Sequence, residues 1–310
     1  MRILVTGGYG FVGRAAASEL RSAGHDVVIT TRRHEAQSNP GSGWDVIAGC
    51  DLSDPSFTTA LPQSVDAVVH CAGCAEFRES DWRRHLRDNV AATRNITRWA
   101  ERVRASRLVF MSTIGVHDRP WGHPSRGRIS ECSERAASSA YGRSKCLAED
   151  LVIGASVPST ILRLTWVYGQ SMRRSSHIRA LTRISSRHRF ISRVPLPGRV
   201  SVIDVRDVAN ATRLVIERSA HMPKTDVILM SEHHPIPLRR LLDPDGREFD
   251  GHAPGGIRRG TAAVLPFSLR VLVDDALVAD PARMEARGLG GSHHFAEEYP
   301  RLLAIKDWRL

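Results

Sequence analysis

Tyr141 and Lys145 stand four residues apart in the run Ser138-Ser139-Ala140-Tyr141-Gly142-Arg143-Ser144-Lys145. The chain holds only three lysines among its 44 lysines and arginines, and Lys145 is the first of them. Where this sequence wants positive charge it almost always writes arginine, so a lysine here is a choice. On a helix the spacing i, i+4 puts both side chains on one face, one turn apart. An ammonium beside a phenol favours the phenolate and is expected to draw the tyrosine pKa down toward neutrality. A compact ammonium with three rotatable donors suits that task better than a planar guanidinium. The pair is an acid/base device for a hydroxyl or a carbonyl. An isolated Tyr-x-x-x-Lys is more often an ordinary surface pair, so its weight depends on what surrounds it.

Something must hold a reactant against that pair, and the N-terminus supplies a candidate. Arg2 to Thr6 is a short run of β-formers, followed by Gly7-Gly8-Tyr9-Gly10-Phe11-Val12-Gly13 and a helical stretch to Ala23. A glycine turn between strand and helix lets backbone N–H groups approach a pyrophosphate, whose charge the helix N-terminus stabilises. The spacing is G-x-x-G-x-x-G, and its strand-to-helix context is what makes it informative.

With Thr6 before it, this turn resembles the cofactor turn of the extended short-chain dehydrogenase/reductase family, in its NAD(P)-dependent epimerase/dehydratase branch. Further segments carry the resemblance in order along roughly two thirds of the chain. Asp51-Leu52 resembles the family's adenine-contacting pair, and Val68 to Gly73, with Cys71, Ala72 and Gly73, its fourth-strand motif. Asn89-Val90 with Thr93 and Asn95 is similar to the helix that steadies the site. Phe110 to Val116 matches the end of the fifth strand, and Leu162 to Gly169 the sixth, with Leu164 where the family usually has proline. Val202 to Ala209 matches a later strand-to-helix motif. The resemblance implies a catalytic set of Thr113, Tyr141 and Lys145. Tyr141 would be the acid/base, Lys145 would bind the nicotinamide ribose, and Thr113 would bond the reacting oxygen. Ser112 is expected to bond backbone. The turn residues Gly7, Tyr9, Gly10, Phe11, Val12 and Gly13 would line the dinucleotide with Asp51, Leu52, Cys71, Ala72, Gly73, Asn89, Leu164 and Val167.

Which dinucleotide turns on the end of the second strand. The family's NAD users keep an acid there, whereas Val27-Val28-Ile29-Thr30-Thr31-Arg32-Arg33 offers Thr31 and two arginines. A hydroxyl and two guanidiniums suit a 2′-phosphate, so NADP is expected to be preferred over NAD. The substrate implied is a sugar nucleotide, acted on by an epimerase or 4-ketoreductase. Ile114-Gly115 stands where the family's 4,6-dehydratases carry an Asp-Glu pair, which argues against dehydration. One rival is a reductase of an apolar ketone. Another is a catalytically idle dinucleotide sensor, disfavoured because Tyr141 and Lys145 are both present.

Alternating strands and helices predict a Rossmann-type, doubly wound α/β fold with a smaller C-terminal substrate lobe. Residues 1–169 are expected to form the dinucleotide domain and 170–310 mainly the second lobe, with 200–219 returning to the core. One long helix is predicted over 81–103, and the loop at 117–135 is a candidate active-site flap. In the second lobe a basic stretch from Arg173 to Arg199 offers cations for a diphosphate. His177, Arg179 and Arg199 are its candidate substrate residues. A net charge of +11 could signal nucleic acid, but the arginines are scattered and no recognition motif accompanies them. Five sparse cysteines, with Cys71-x-x-Cys74 inside the cofactor motif, give no metal expectation. No apolar run reaches membrane-span length and the N-terminus reads as the first strand, so a cytoplasmic protein, homodimeric as the resemblance implies, is expected.

Overall fold

The computed structural model describes residues 1–34, 44–75, 81–118, 127–174, 176–187, 198–242 and 277–305. Its chain divides into two units that interleave along the sequence. The first comprises 1–116, 137–163 and 205–228; the second comprises 117–136, 164–204 and 229–310.

The sheet is built from strands that are mostly apolar. In β1 (Arg2–Thr6), β2 (Asp26–Thr30), β4 (Ala67–His70), β5 (Arg107–Thr113) and β6 (Ser159–Leu164) nearly every residue is buried. Continuous rather than alternating burial is the mark of a parallel sheet covered on both faces. With β3 (Asp45–Ile47) and β10 (Thr225–Met230) they form a seven-stranded parallel sheet in the order β10-β6-β5-β4-β1-β2-β3. The chain reverses its winding between β1 and β4, which pair from Ile3–Ala67 to Thr6–His70. A doubly wound sheet opens its ligand crevice at that switch, beyond the carboxyl ends of the two strands.

Helix α1 (Phe11–Ser22) buries Gly13, Ala16, Ala17 and Leu20, small residues that bring it close to the sheet. It stops where Gly24 takes the left-handed conformation at φ +85°. Over 82–102 the single helix expected from sequence is interrupted. Trp82–His85 (α2) and Ala92–Arg102 (α3) flank a π-helical turn at Leu86–Ala91. A π turn inserts one residue into the ladder, and here it turns Asp88, Asn89 and Val90 all inward. Helix α4 (Ala140–Ile153) carries Tyr141 and Lys145 and is capped by Ser139, whose Oγ accepts from the Gly142 N–H at 2.9 Å.

The second unit holds the parallel pair β7 (Trp166–Tyr168) and β9 (Val202–Asp204), and the antiparallel pair β8 (Arg199–Val200) with β11 (Ile236–Pro237). An aromatic cluster fixes it: Phe295 meets Tyr168 edge-on at 5.0 Å and stacks on Tyr299 at 4.6 Å. Glu232 ties the same cluster, accepting from the Tyr168 hydroxyl at 2.7 Å and the Phe295 N–H at 2.9 Å. Among the described residues no helix is long and apolar enough to cross a membrane.

Candidate active site

The glycine turn is shaped by what a side chain would strike. Gly7 has φ +66°, and a Cβ there would lie 2.9 Å from the Ala72 backbone at the end of β4. At Gly13 a Cβ would sit 2.4 Å from the Gly7 carbonyl. These two glycines let the turn fold on itself and α1 press against it. Gly10 differs: its N–H bonds the Gly7 carbonyl at 2.8 Å, and a Cβ would meet only that oxygen, at 3.0 Å. Half-buried at the N-terminus of α1, Gly10 leaves the helix end open to an anion. Tyr9, Phe11 and Val12 are half-buried around it.

A buried histidine on β4 ties the end of β1, just before this turn, to α3. Thr6 Oγ1 lies 2.7 Å from His70 Nδ1, and His70 Nε2 lies 3.1 Å from Thr93 Oγ1. Thr93 donates its proton to the Asn89 carbonyl, so His70 must donate to Thr93 through Nε2 and accept from Thr6 through Nδ1. Burial, helped by the Lys145 charge, pushes His70 down to about 3, so the ring stays neutral. Thr6 then accepts from the Ala72 N–H at 3.2 Å. Thr6, His70 and Thr93 each stand in a motif read from the sequence, but their linkage was not legible there.

Asn89 belongs to the same scaffold. Its Oδ1 accepts from the Cys74 N–H at 2.7 Å, and its Nδ2 donates to the Cys74 carbonyl and, at 2.8 Å, to Ser144 Oγ. The amide therefore joins the π turn, the segment after β4, and α4. Gly73 leaves room for it, since a Cβ there would stand 2.7 Å from Asn89 Oδ1.

The catalytic candidates meet at the end of β5. Thr113 and Tyr141 are joined by a side-chain hydrogen bond, and Thr113 Oγ1 also accepts from the Gly115 N–H at 3.1 Å. Lys145 is buried; its Nζ donates to the Met111 carbonyl at 2.8 Å and lies 4.5 Å above the centre of the Phe110 ring. The expectation that Lys145 draws the Tyr141 pKa toward neutrality is not met. Burial pushes the phenol up to about 12, with only the bond to Thr113 pulling the other way. Lys145 spends a donor on backbone instead, and burial brings its own pKa down to about 8.

That ammonium carries a cost with a definite sign. Between about 8 and the ordinary 10.5 the unfolded chain holds the Lys145 proton and the folded chain releases it. Stability therefore rises with pH through that window, and the full cost applies below it. Lys145→Met should remove the rise, and at neutral pH should stabilise the fold by up to about 3 kcal/mol. Urea unfolding on both sides of the window measures this, and a variant with the wild-type pH slope would contradict it.

Ser112 also departs from expectation. Its Oγ bonds Glu149 Oε1 at 2.6 Å rather than backbone. Glu149 is at once held two-pronged by Arg163, Nε to Oε1 at 3.0 Å and Nη2 to Oε2 at 2.8 Å, with all three residues buried. The ion pair fastens α4, one turn beyond Lys145, to β5 and β6. Sequence reading missed it, although Glu149 repeats the i, i+4 step from Lys145. Glu149→Ala strands a buried guanidinium and should cost about 3–5 kcal/mol of stability in urea unfolding; a loss below about 1 kcal/mol would contradict the buried pairing.

Around the end of β2, Thr31 is buried and its Oγ1 accepts from the Arg33 N–H at 3.2 Å, while Arg33 is exposed. Arg32 donates to Asp88 Oδ2 at 3.1 Å. Asp51 is exposed and caps Ser53, and Leu52 lies in the core. The remaining candidates fall in the second unit. Leu164 is buried and Val167 half-buried on β7, beside Ile203. His177 opens helix α5 (His177–Arg187), exposed and stacked on Trp166 at 5.1 Å. Arg179 donates to the Met172 carbonyl at 3.3 Å, and Arg199 is exposed on β8. Arg189 and Arg193 of the basic stretch lie outside the described residues, as do residues 119–126 of the expected flap. Among the described residues no cluster of His, Cys, Asp or Glu is placed to hold a metal.

Known proteins share both the fold and parts of the sequence. A dTDP-4-dehydrorhamnose reductase of Mycobacterium tuberculosis is 25% identical over 205 residues, covering 66% of this chain and 59% of that protein. A 2-alkyl-3-oxoalkanoate reductase of Stenotrophomonas maltophilia is 31% identical over 174 residues, covering 54% and 52%. The chain thus spans little more than half the length of these relatives. The Thermus thermophilus UDP-glucose 4-epimerase in complex with NAD has the same fold, with a TM-score of 0.71 over 99% of this chain and 100% of that one at 20% identity. Homologues of this kind are named as reductases and epimerases. Residues 3–230 match the model of the NAD dependent epimerase/dehydratase family, and the chain belongs to that family.

Proposed function

We propose that the chain is an NADP-preferring 4-ketoreductase or epimerase of a sugar nucleotide, with Tyr141 as its acid/base. The observation that carries this reading is the Thr113–Tyr141 hydrogen bond beside the buried Lys145 ammonium. Two neighbouring hydroxyls, with a cation one helical turn along α4, would suit a carbonyl or alkoxide oxygen. The glycine turn fits a dinucleotide, because Gly7 and Gly13 clear the backbone and Gly10 leaves the α1 N-terminus open. A bound nicotinamide supplies the hydride donor or acceptor. The chain's own residues do the rest. Tyr141 holds the proton that a reduced oxygen must gain; its raised pKa keeps it protonated and makes it a donor first. Thr113 orients that oxygen, and Lys145 is the cation for the ribose hydroxyls. Arg32 and Arg33 favour the 2′-phosphate. His177, Arg179 and Arg199 remain the proposed diphosphate ligands, and residues 1–169 and 170–310 the proposed cofactor and substrate parts of a cytoplasmic homodimer.

A second reading, reduction of an apolar ketone, is favoured by the 31% identity to the alkyl-oxoalkanoate reductase. Calorimetric titration separates them. Uridine and thymidine diphosphates should bind the NADP-loaded protein with salt-dependent affinity. Their failure to bind, with turnover of a medium-chain 3-oxo acid, would transfer the assignment to the second reading.

A further inference from the structure

Asp88 gathers arginines from two parts of the first unit. Arg32, just past β2, donates Nη1 to Asp88 Oδ2 at 3.1 Å. Arg87, on the π turn, donates Nε to the other oxygen at 2.8 Å, and Arg84 Nε stands 3.8 Å from Oδ2. The carboxylate side chain is 2% exposed, whereas those of Arg32 and Arg87 are 52% and 57% exposed. A buried anion thus sits beneath cations that face solvent. One carboxylate serving three guanidiniums leaves the group positive, even with Asp51 close enough to Arg87 to interact with it. Arg87 bonds Asp88 through Nε, and more than half of its side chain faces solvent, leaving N–H donors for a ligand.

We infer that Arg87 is a second ligand of the adenosine 2′-phosphate, held beside Arg32 by Asp88. The inference rests on the NADP reading above. One contact and one charge interaction place Arg87 there: it shares a carboxylate with Arg32, which follows the strand end that selects the ribose substituent, and it feels the charge of Asp51, of the pair that resembles the adenine contact. A phosphate of charge near −2 would match the surplus and take charge-assisted bonds from the outward N–H groups. The interruption of the helix contributes directly, since the π turn is what directs Asp88 inward with Arg87 outward beside it.

Arg87→Ala trims a surface side chain, and circular dichroism checks that the fold is retained. The probes are NADP, NAD, 2′,5′-ADP and ADP, titrated calorimetrically. Arg87→Ala should weaken NADP and 2′,5′-ADP about tenfold, leave NAD and ADP unchanged, and flatten the salt dependence of NADP binding. An equal effect on both members of each pair, or none, overturns the inference. Wild type and Arg32→Ala separate the two levels. If wild type prefers NADP and Arg32→Ala loses that preference while Arg87→Ala keeps it, only the role of Arg87 falls. If wild type binds NAD as tightly as NADP, the NADP reading falls and the inference with it.

Discussion

Tyr141→Phe should retain the dinucleotide with near-normal affinity while turnover falls by a factor on the order of a hundred or more. The substitution keeps the ring, which packs at 6.1 Å from His85, and removes only the oxygen that bonds Thr113. The glycine turn is built from backbone and from Gly7, Gly10 and Gly13, so binding and chemistry are expected to separate. Lys145 donates to the Met111 carbonyl and is not expected to replace the phenol as proton donor. The check is steady-state turnover beside dinucleotide titration of the same preparation. A Tyr141→Phe protein within a few-fold of wild-type rate would remove Tyr141 from the chemistry.

Gly10→Val should abolish dinucleotide binding and leave the fold standing. Its Cβ would press only on the Gly7 carbonyl, at 3.0 Å, a contact that a few tenths of an ångström relieve. The branched side chain would then cover the N–H groups at the start of α1. A loss of at least about a hundredfold in affinity, near 3 kcal/mol, is expected. Gly13→Val is the contrasting variant: a Cβ 2.4 Å from the Gly7 carbonyl has nowhere to go, so folding itself should fail. Thermal unfolding alongside titration distinguishes the two. Undiminished dinucleotide affinity in Gly10→Val would place the cofactor elsewhere.

The strand–turn–helix at the N-terminus was legible because three separate signals coincide there: an apolar run, glycines at fixed spacing and a small-residue helix. Apolar strands alternating with helices likewise made the doubly wound sheet readable. The sequence pointed to Thr113, Tyr141 and Lys145, and the structure brings a Thr113–Tyr141 bond and a buried lysine together at the end of β5. What spacing could not convey was environment. Tyr141 is pushed up rather than down because desolvation outweighs the bond to Thr113, while the Lys145 ammonium donates to backbone instead. The π turn at Leu86–Ala91 was invisible, since one inserted residue barely disturbs a helical pattern. The Ser112–Glu149–Arg163 group joins three separate elements, and the Thr6–His70–Thr93 line joins another three. Such bonds are set by the packing of elements, which local pattern does not contain.

The most direct test of the central claim, that Tyr141 drives redox chemistry on a dinucleotide held at Gly7 to Gly13, is to watch the nicotinamide itself. Protein loaded with NADPH is mixed with 4-keto sugar nucleotides and with 3-oxo acids, and the fluorescence of the reduced nicotinamide is followed. The expected result is loss of that fluorescence in wild type with one substrate class, and a loss at least about a hundredfold slower in Tyr141→Phe. Fluorescence that stays constant with every carbonyl compound, in protein proven to hold NADPH, would contradict the claim and leave a dinucleotide sensor on an enzyme's fold.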